Sequence, residues 1–330
     1  MRKALKVIGI LVLILVVVVA GAAFYVKTFL PNVGEAPALK IVSTPEKVKR
    51  GEYLANHVMV CMDCHSERNW NYFGGPMETD SLGRGGEVFN REMGFPGVFY
   101  SANITPAGIG DWTDGEILRA ITTGVRKNGK PIFPVMPHAN YGTLDQEDIE
   151  AVICYLRTLK PLEYKVPESE IDFPMNFIIN TIPKKASFNK RPDSTDIVAY
   201  GKYMITAASC GECHTPFDKG KFNEEMRLAG GRAFEMPGGT LVTANLTPDP
   251  ATGIGNLSKE EFLDRFRAYR DSAYSHRPVN FMTDFTSMMP WAVYAGMSDH
   301  DLGAIYEYLR TLKPINHKIE KWTPRAVAQK

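Results

Sequence analysis

Hydrophobic positions in this chain fall into one unbroken block, then into two passages of one-sided helices that echo each other. The block, residues 7–26, holds no charged side chain. Its length meets the roughly 20 residues that a helix needs to cross a bilayer core. Arg2, Lys3 and Lys6 precede it and Lys27 ends it, which keeps the amino end in the cytoplasm and sends the rest of the chain outward. A cleaved signal peptide is the rival reading, because Ala20-Gly21-Ala22 has the small residues of a cleavage site. The apolar run continues past that point through Phe24 and Tyr25, aromatic residues placed for the membrane interface, so residues 1–26 are read as an uncleaved anchor. Both readings export everything that follows. Residues 27–43, with Pro31, Gly34 and Pro37, form a tether.

The pattern beyond the tether is used twice. Thr44-Pro45 supplies a helix N-cap with proline at the first helical position, and Ser194 is the matching cap in the second copy. Val48, Gly51, Tyr53 and Leu54 then line up with Val198, Gly201, Tyr203 and Met204. A glycine inside a helix costs about 1 kcal/mol against alanine, so its recurrence at one place predicts another helix crossing closely there. Further on, Thr113 with Glu116 and Ser258 with Glu261 make capping boxes. The helices they open have apolar faces of Ile117, Leu118 and Ile121 in one copy and Phe262, Leu263 and Phe266 in the other. Asp145 and Ser298 cap the last helix of each copy. Both helices end in the string Tyr-Leu-Arg-Thr-Leu-Lys-Pro, at 155–161 and 308–314, where the proline stops them. Tyr155 and Tyr308 are placed to pack on Gly51 and Gly201. The expected fold is all-α: two tandem domains, residues 44–161 and 194–316, behind an N-terminal transmembrane helix. Residues 162–193, proline-spaced and irregular, are the linker between them, and residues 317–330 are a short polar tail.

The 330 residues carry a net charge of +1 and 44% hydrophobic content, which argues against a nucleic-acid partner and against disorder. Of the five cysteines, Cys154 lies in an apolar helical run at 149–156 and is read as an inert buried thiol. The other four stand in Cys61-Met62-Asp63-Cys64-His65 and Cys210-Gly211-Glu212-Cys213-His214, the spacing of covalent c-type haem attachment. Two thiols on one turn add to the two vinyl groups of one porphyrin, and the histidine after them is carried beneath the ring as the proximal iron ligand. A zinc site leaves both histidines unexplained, a thioredoxin-like pair needs a strand–helix setting that neither flank has, and a disulfide over so short a span is strained. Two covalently bound haem c groups are therefore expected, at Cys61, Cys64 and His65 and at Cys210, Cys213 and His214. Such attachment belongs outside the bacterial cytoplasm, in agreement with the N-terminal signal.

A methionine before a proline follows each pentapeptide at a similar distance, Met136-Pro137 and Met289-Pro290. A thioether suits the sixth position of low-spin haem iron, and His/Met ligation raises the reduction potential. Met136 and Met289 are the expected axial ligands, with Met288 the alternative to its neighbour and His138 a bis-histidine alternative to Met136. The other methionines are core filler. His57, His276, His300 and His317 are read as ordinary surface or core residues. Trp112, Asn103 and Asn245 are within reach of haem propionates, though packing is the preferred role for all three.

Each copy also carries an Asn-(Ile/Leu)-Thr-Pro loop, at 103–106 and 245–248, and a Gly-Ile-Gly, at 108–110 and 253–255; Phe173-Pro174-Met175-Asn176 lies between the copies. With the Met-Pro pairs and the terminal Tyr-Leu-Arg-Thr-Leu, this combination over residues 44–316 resembles the membrane-anchored cytochrome c subunits of bacterial periplasmic dehydrogenases, such as the alcohol and gluconate dehydrogenase cytochromes. The resemblance implies two class I cytochrome c domains that pass electrons from a dehydrogenase to quinone or a terminal oxidase. It assigns one haem to Cys61, Cys64, His65 and Met136 and the other to Cys210, Cys213, His214 and Met289. Many such relatives carry three haems, and several attach through their C-terminal end; this chain has two pentapeptides and an N-terminal anchor. The expected function is electron relay without catalysis, since two six-coordinate haems leave no open iron site. The protein would span the inner membrane once, with its haem domains in the periplasm. Its donor would be a periplasmic or membrane dehydrogenase or a quinol, and its acceptor a cytochrome, quinone or oxidase. A dihaem peroxidase with one labile haem ligand is the alternative, and a haem sensor the third reading.

Overall fold

The computed structural model describes residues 2–218 and 220–325; Met1 of the expected anchor and residues 326–330 of the expected tail lie outside the described residues. Helix α1 (Arg2–Phe29) is continuous and has no buried residue. It is the one helix among the described residues long and apolar enough to cross a membrane. After the tether come α2 (Pro45–Tyr53) and α3 (Cys61–His65). They are followed by α4 (Pro106–Ile109), α5 (Asp114–Thr123), α6 (His138–Tyr141) and α7 (Gln146–Leu156). Beyond α8 (Met175–Ile178) the order recurs, with α9 (Ile197–Ala207) and α10 (Cys210–His214) answering α2 and α3. Helix α11 (Lys259–Arg267) answers α5, and α12 (Ser272–Ser275) has no counterpart. Helices α13 (Trp291–Tyr294) and α14 (Asp299–Arg310) answer α6 and α7.

Local chemistry places most helix starts where the sequence predicts them. Thr44 accepts from the Lys47 amide, both capping boxes form, and Asp145 and Ser298 cap α7 and α14. The start of α9 differs. Its cap is Asp196, which accepts from the Ala199 amide, and not Ser194. The Asp193 carboxylate takes the Thr195 amide and hydroxyl at 2.8 and 2.7 Å and holds this stretch in a turn that delays the helix.

The two glycine crossings are present. Helix α2 lies across α7 and α9 across α14, and a Cβ on Gly51 would overlap the Ala151 carbonyl as one on Gly201 would overlap that of Ala304. Tyr308 lines the second crossing, its Cβ 3.0 Å from where a Gly201 Cβ would stand. At the first crossing the atoms nearest such a Cβ are backbone atoms of Ala151 and Val152, and Tyr155 accepts from the Asn56 side-chain amide at 2.9 Å. Leu54, Ile149 and Ile153 around one crossing and Met204, Leu302 and Leu309 around the other belong to one continuous core. Cys154 is buried and free.

The all-α expectation is corrected by three small antiparallel sheets. The first joins β1 (Val88–Phe89), β2 (Gly97–Tyr100) and β3 (Glu170–Ile171). The second is a hairpin of β4 (Phe217–Asp218) and β5 (Lys221–Phe222). The third joins β6 (Ala233–Met236), β7 (Gly239–Val242) and β8 (Trp322–Pro324). The two three-stranded sheets are built alike: a hairpin from the loop after the pentapeptide receives a strand returned from beyond the terminal helix. Val98 pairs with Glu170, and Leu241 with Trp322. The segment read as linker thus begins by completing the first sheet, and the segment read as tail completes the third. Strands this short carry too few positions for a period-2 alternation to be visible in the sequence.

A reciprocal clasp joins the copies. Tyr53 of α2 donates to Asp301 at 2.5 Å and accepts from the Ser298 amide at 3.1 Å, at the start of α14. Its equivalent Tyr203 of α9 donates to Asp148 at 2.7 Å and accepts from the Asp145 amide at 3.2 Å, at the start of α7. Asp148, 2% exposed, also receives two hydrogen bonds from Arg50 and one from Arg191. Burial acts to raise its pKa, but the Arg50 bonds and charge, with Tyr203 and Arg191, outweigh it and hold the carboxyl below the usual carboxylate range.

Two outcomes follow for stability. Because the folded state depresses its pKa, Asp148 stabilises the fold above about pH 4, and that contribution is lost as pH falls further. Asp148→Asn is expected to lower the unfolding free energy at neutral pH by on the order of 3 kcal/mol and to shallow its acid limb, read from urea melts across pH. Gly201→Ala is expected to cost about 1–3 kcal/mol through overpacking on α14, despite alanine's better helix propensity; a melt no lower than that of the parent protein would contradict the crossing.

Candidate cofactor-binding sites

Each pentapeptide forms one helical turn entered through a left-handed residue. Val60 and Ser209, just ahead of α3 and α10, have φ of 50° and 54°. That geometry is unfavourable for a β-branched valine, so the surroundings impose it. Tyr141 donates its hydroxyl to the Met59 carbonyl, and Tyr294 donates to the Ala208 carbonyl at 2.7 Å. These bonds tie α6 to the start of α3 and α13 to the start of α10. Cysteines three apart on a helical turn share one face. All four are free, and burial pushes the Cys61 and Cys210 thiols up to about 12, so they stay neutral.

The histidines are held by backbone. His65 Nδ1 lies 2.6 Å from the Ala102 carbonyl oxygen, and His214 Nδ1 lies 2.7 Å from that of Ala244. A carbonyl only accepts, so Nδ1 carries the proton in both rings and Nε2 keeps its lone pair. Burial lowers both pKa values and outweighs the carbonyl bonds, with the Arg126 charge adding to the effect at His65; the rings are neutral. Gly85 and Gly230, at φ 76° and 71°, let these carbonyls approach. Their amides donate to the His65 and His214 carbonyls at 2.7 and 2.8 Å. A Cβ on either would lie 2.5 Å from the carbonyl carbon of Ala102 or Ala244.

The Asn-x-Thr loops are duplicated bond for bond. Asn103 Oδ1 accepts from the Thr105 amide and hydroxyl at 3.0 and 2.7 Å, and its side-chain amide donates to the Leu162 carbonyl at 2.8 Å. Asn245 accepts from Thr247 at 2.9 and 2.8 Å and donates to the Ile315 carbonyl at 2.8 Å. Both asparagines thus pin the chain that leaves the terminal helix. The Trp112 carbonyl accepts from Arg157, which anchors the start of α5.

Met136 and Met289 are half-buried against the core. Each sits in an inverse γ-turn, with Pro137 at φ −79°, ψ 51° and Pro290 at φ −78°, ψ 65°. The Met136 and Met289 carbonyls accept from the amides of His138 and Trp291, both at 2.8 Å. Met288 stands one residue outside this equivalence. His138 is 2% exposed with its ring against Gly124, and burial lowers its pKa to about 4. Its Nε2 has no hydrogen-bond partner among the described residues. His57, His276 and His317 each bond a backbone carbonyl through Nδ1, and His300 lies beside Asp301.

The two sites are neighbours. Asn140 donates its side-chain amide to Glu212, inside the second pentapeptide, at 3.2 Å. The Tyr294 hydroxyl is raised well above 10 by burial, then by Cys210 and Cys213, with Tyr141 and Asp63 of the first copy adding to it. Sequence reasoning overlooked Tyr141 and Tyr294, although each follows its Met-Pro pair at the same interval. It also overlooked Arg68, which pairs with buried Asp63 at 3.2 Å and donates to the Gly74 and Gly75 carbonyls. The donor set fits covalent haem. Among the described residues no three His, Cys, Asp or Glu side chains gather to hold a metal unaided; in such a pentapeptide sulfur bonds carbon and only the histidine meets iron.

Comparison with known proteins agrees with this chemistry. The cytochrome c family matches residues 198–313. The cytochrome c subunit of alcohol dehydrogenase (quinone) from Gluconacetobacter polyoxogenes is 27% identical over 283 residues, 81% of this chain and 56% of that protein. The gluconate 2-dehydrogenase cytochrome c subunit of Pantoea cypripedii is 29% identical over 285 residues, 80% of this chain and 59% of that subunit. A diheme cytochrome c-type protein of Cereibacter sphaeroides is 26% identical over 268 residues, 77% and 82% of the two chains. The chain spans little more than half the length of the two dehydrogenase subunits. It carries a cytochrome c domain at residues 198–313 and is homologous to the cytochrome c subunits of alcohol, gluconate and fructose dehydrogenases.

Proposed function

We propose that this chain carries two covalently bound haem c groups and relays electrons on the periplasmic side of the inner membrane, with α1 as its anchor. The observation that carries the reading is the bond-for-bond repetition around the two pentapeptides, of which only the second lies within the matched residues 198–313. The histidine–carbonyl bond, the Asn-x-Thr lock and the tyrosine tie of one copy all recur in the other. Residues 44–161 and 194–316 are then two cytochrome c domains, each extended by its returning strand.

The haem supplies a one-electron change of iron valence. Cys61 and Cys64, and Cys210 and Cys213, would hold the macrocycles by thioether bonds. His65 and His214 would offer Nε2 to iron, while the carbonyls of Ala102 and Ala244 fix ring orientation and raise imidazole basicity. Met136 and Met289 would offer their thioethers as further iron ligands. Leu54 and Met59, and Met62 within the first pentapeptide, are fully buried in the core. The clasp of Tyr53 and Tyr203 keeps the two centres at one fixed separation. The donor is proposed to be a dehydrogenase, because the relatives are subunits of such enzymes, and the acceptor a cytochrome, quinone or oxidase.

The full-length protein isolated from membranes is expected to contain two haems per chain by pyridine haemochrome assay and intact mass. A chain with one haem, or with none, would overturn the proposal. Met136→Ala and Met289→Ala are each expected to remove about half of the methionine–iron charge-transfer absorbance and to leave haem content intact; loss from Met288→Ala instead would move the second ligand by one residue.

A further inference from the structure

The apolar run of α1 ends at Lys27, and the body of the protein meets it there. Lys27 Nζ donates to the Asn176 carbonyl at 2.7 Å and lies 4.6 Å from the centre of the Phe177 ring. Helix α8 therefore stands level with the first charge beyond the span. At that level Phe173 is 81% exposed and Ile178 45% exposed. Phe24, Tyr25 and Phe29 are exposed on the last turns of α1, where Tyr25 stacks on Phe29 at 5.5 Å and Phe24 meets Phe29 edge-on at 6.3 Å. Phe173 meets Phe177 edge-on at 6.3 Å.

This segment is held out and is not loose chain. Arg91 grips Asp172 through two hydrogen bonds of 2.9 and 2.6 Å, β3 pairs with β2 just before it, and Ile179 just after it is buried. A fixed segment that presents large apolar side chains to water marks a contact surface. Its continuity with the end of α1 identifies the occupant, since aromatic rings and a lysine at one height are how a chain meets the boundary between headgroups and acyl tails. We propose that residues 173–178 are a second membrane contact, seated in the lipid headgroup layer of the outer leaflet beside α1. The haem-bearing body is then held at two points and cannot swivel about its tether. The inference rests on the reading of α1 as a retained anchor.

The test uses the full-length holoprotein in vesicles of phosphatidylethanolamine and phosphatidylglycerol, photolysed with a lipid-dissolved aryl diazirine and mapped by peptide mass spectrometry. Adducts are expected on α1 and on residues 173–178. The double variant Phe173→Ser, Ile178→Ser is expected to lose the second set while keeping the adducts on α1 and the haem content. Adducts on α1 with none on 173–178 would overturn the second contact and leave the anchor standing. A mature chain that lacks α1 would overturn the anchor reading, and the labelling of 173–178 would then decide the contact on its own. Rapid oxidation of Phe173 by water-borne hydroxyl radicals in the same vesicles would also overturn it, and suppression of that oxidation by an added dehydrogenase would assign the patch to protein.

Discussion

The bond from a histidine Nδ1 to a backbone carbonyl is the interaction on which the rest of this structure depends. It selects the tautomer, aims Nε2 and fixes the ring plane, for His65 through Ala102 and for His214 through Ala244. For the carbonyl to come so close, the facing residue must lack a Cβ, hence Gly85 and Gly230. For the segment carrying it to stay in place, the following loop must be locked, hence the Asn-x-Thr pairs and the chain they pin beyond the terminal helix. The hairpins and their returning strands form the outer wall of that support. Much of what looks irregular in each copy is the scaffold of one hydrogen bond.

Where information is local, the sequence is transparent. A pentapeptide, a capping box, a proline that ends a helix and a glycine that admits a neighbour each declare themselves within a few residues. The structure places Thr44, Asp145 and Ser298 at helix starts and closes both glycine crossings. The failures are non-local. The strands are short, and their pairing depends on chain that returns from about 70 residues away in one case, a distance at which no periodic signal survives. Asp196 displaces Ser194 as a cap because Asp193 captures the intervening turn, a competition among adjacent polar side chains that residue type alone does not rank. Tyr53 and Tyr203 read as ordinary helix residues until the partner copy is in view.

The candidate sites were legible at the level of donors and not at the level of support. The cysteines, histidines and the two methionines stand out by repetition. Arg68, Tyr141 and Tyr294 do not, because an arginine or tyrosine acquires its role from the carbonyls that fold around it. His138 lies between these cases: visible as a histidine beside the Met136-Pro137 turn, but distinguished only by a buried nitrogen that finds no partner among the described residues.

The reciprocal tyrosine clasp also bears on how such a chain could have arisen and could be divided. Each copy completes the opening turn of the other's final helix, so neither is a self-sufficient module that was merely duplicated and strung in series. The two copies are interdependent: without the second, Asp148 loses the Tyr203 hydroxyl, and without the first, Asp301 loses that of Tyr53 and keeps that of Tyr200. Trading one copy for that of a relative would therefore demand matching changes across the join, which makes the pair, and not the single motif, the unit on which selection acts.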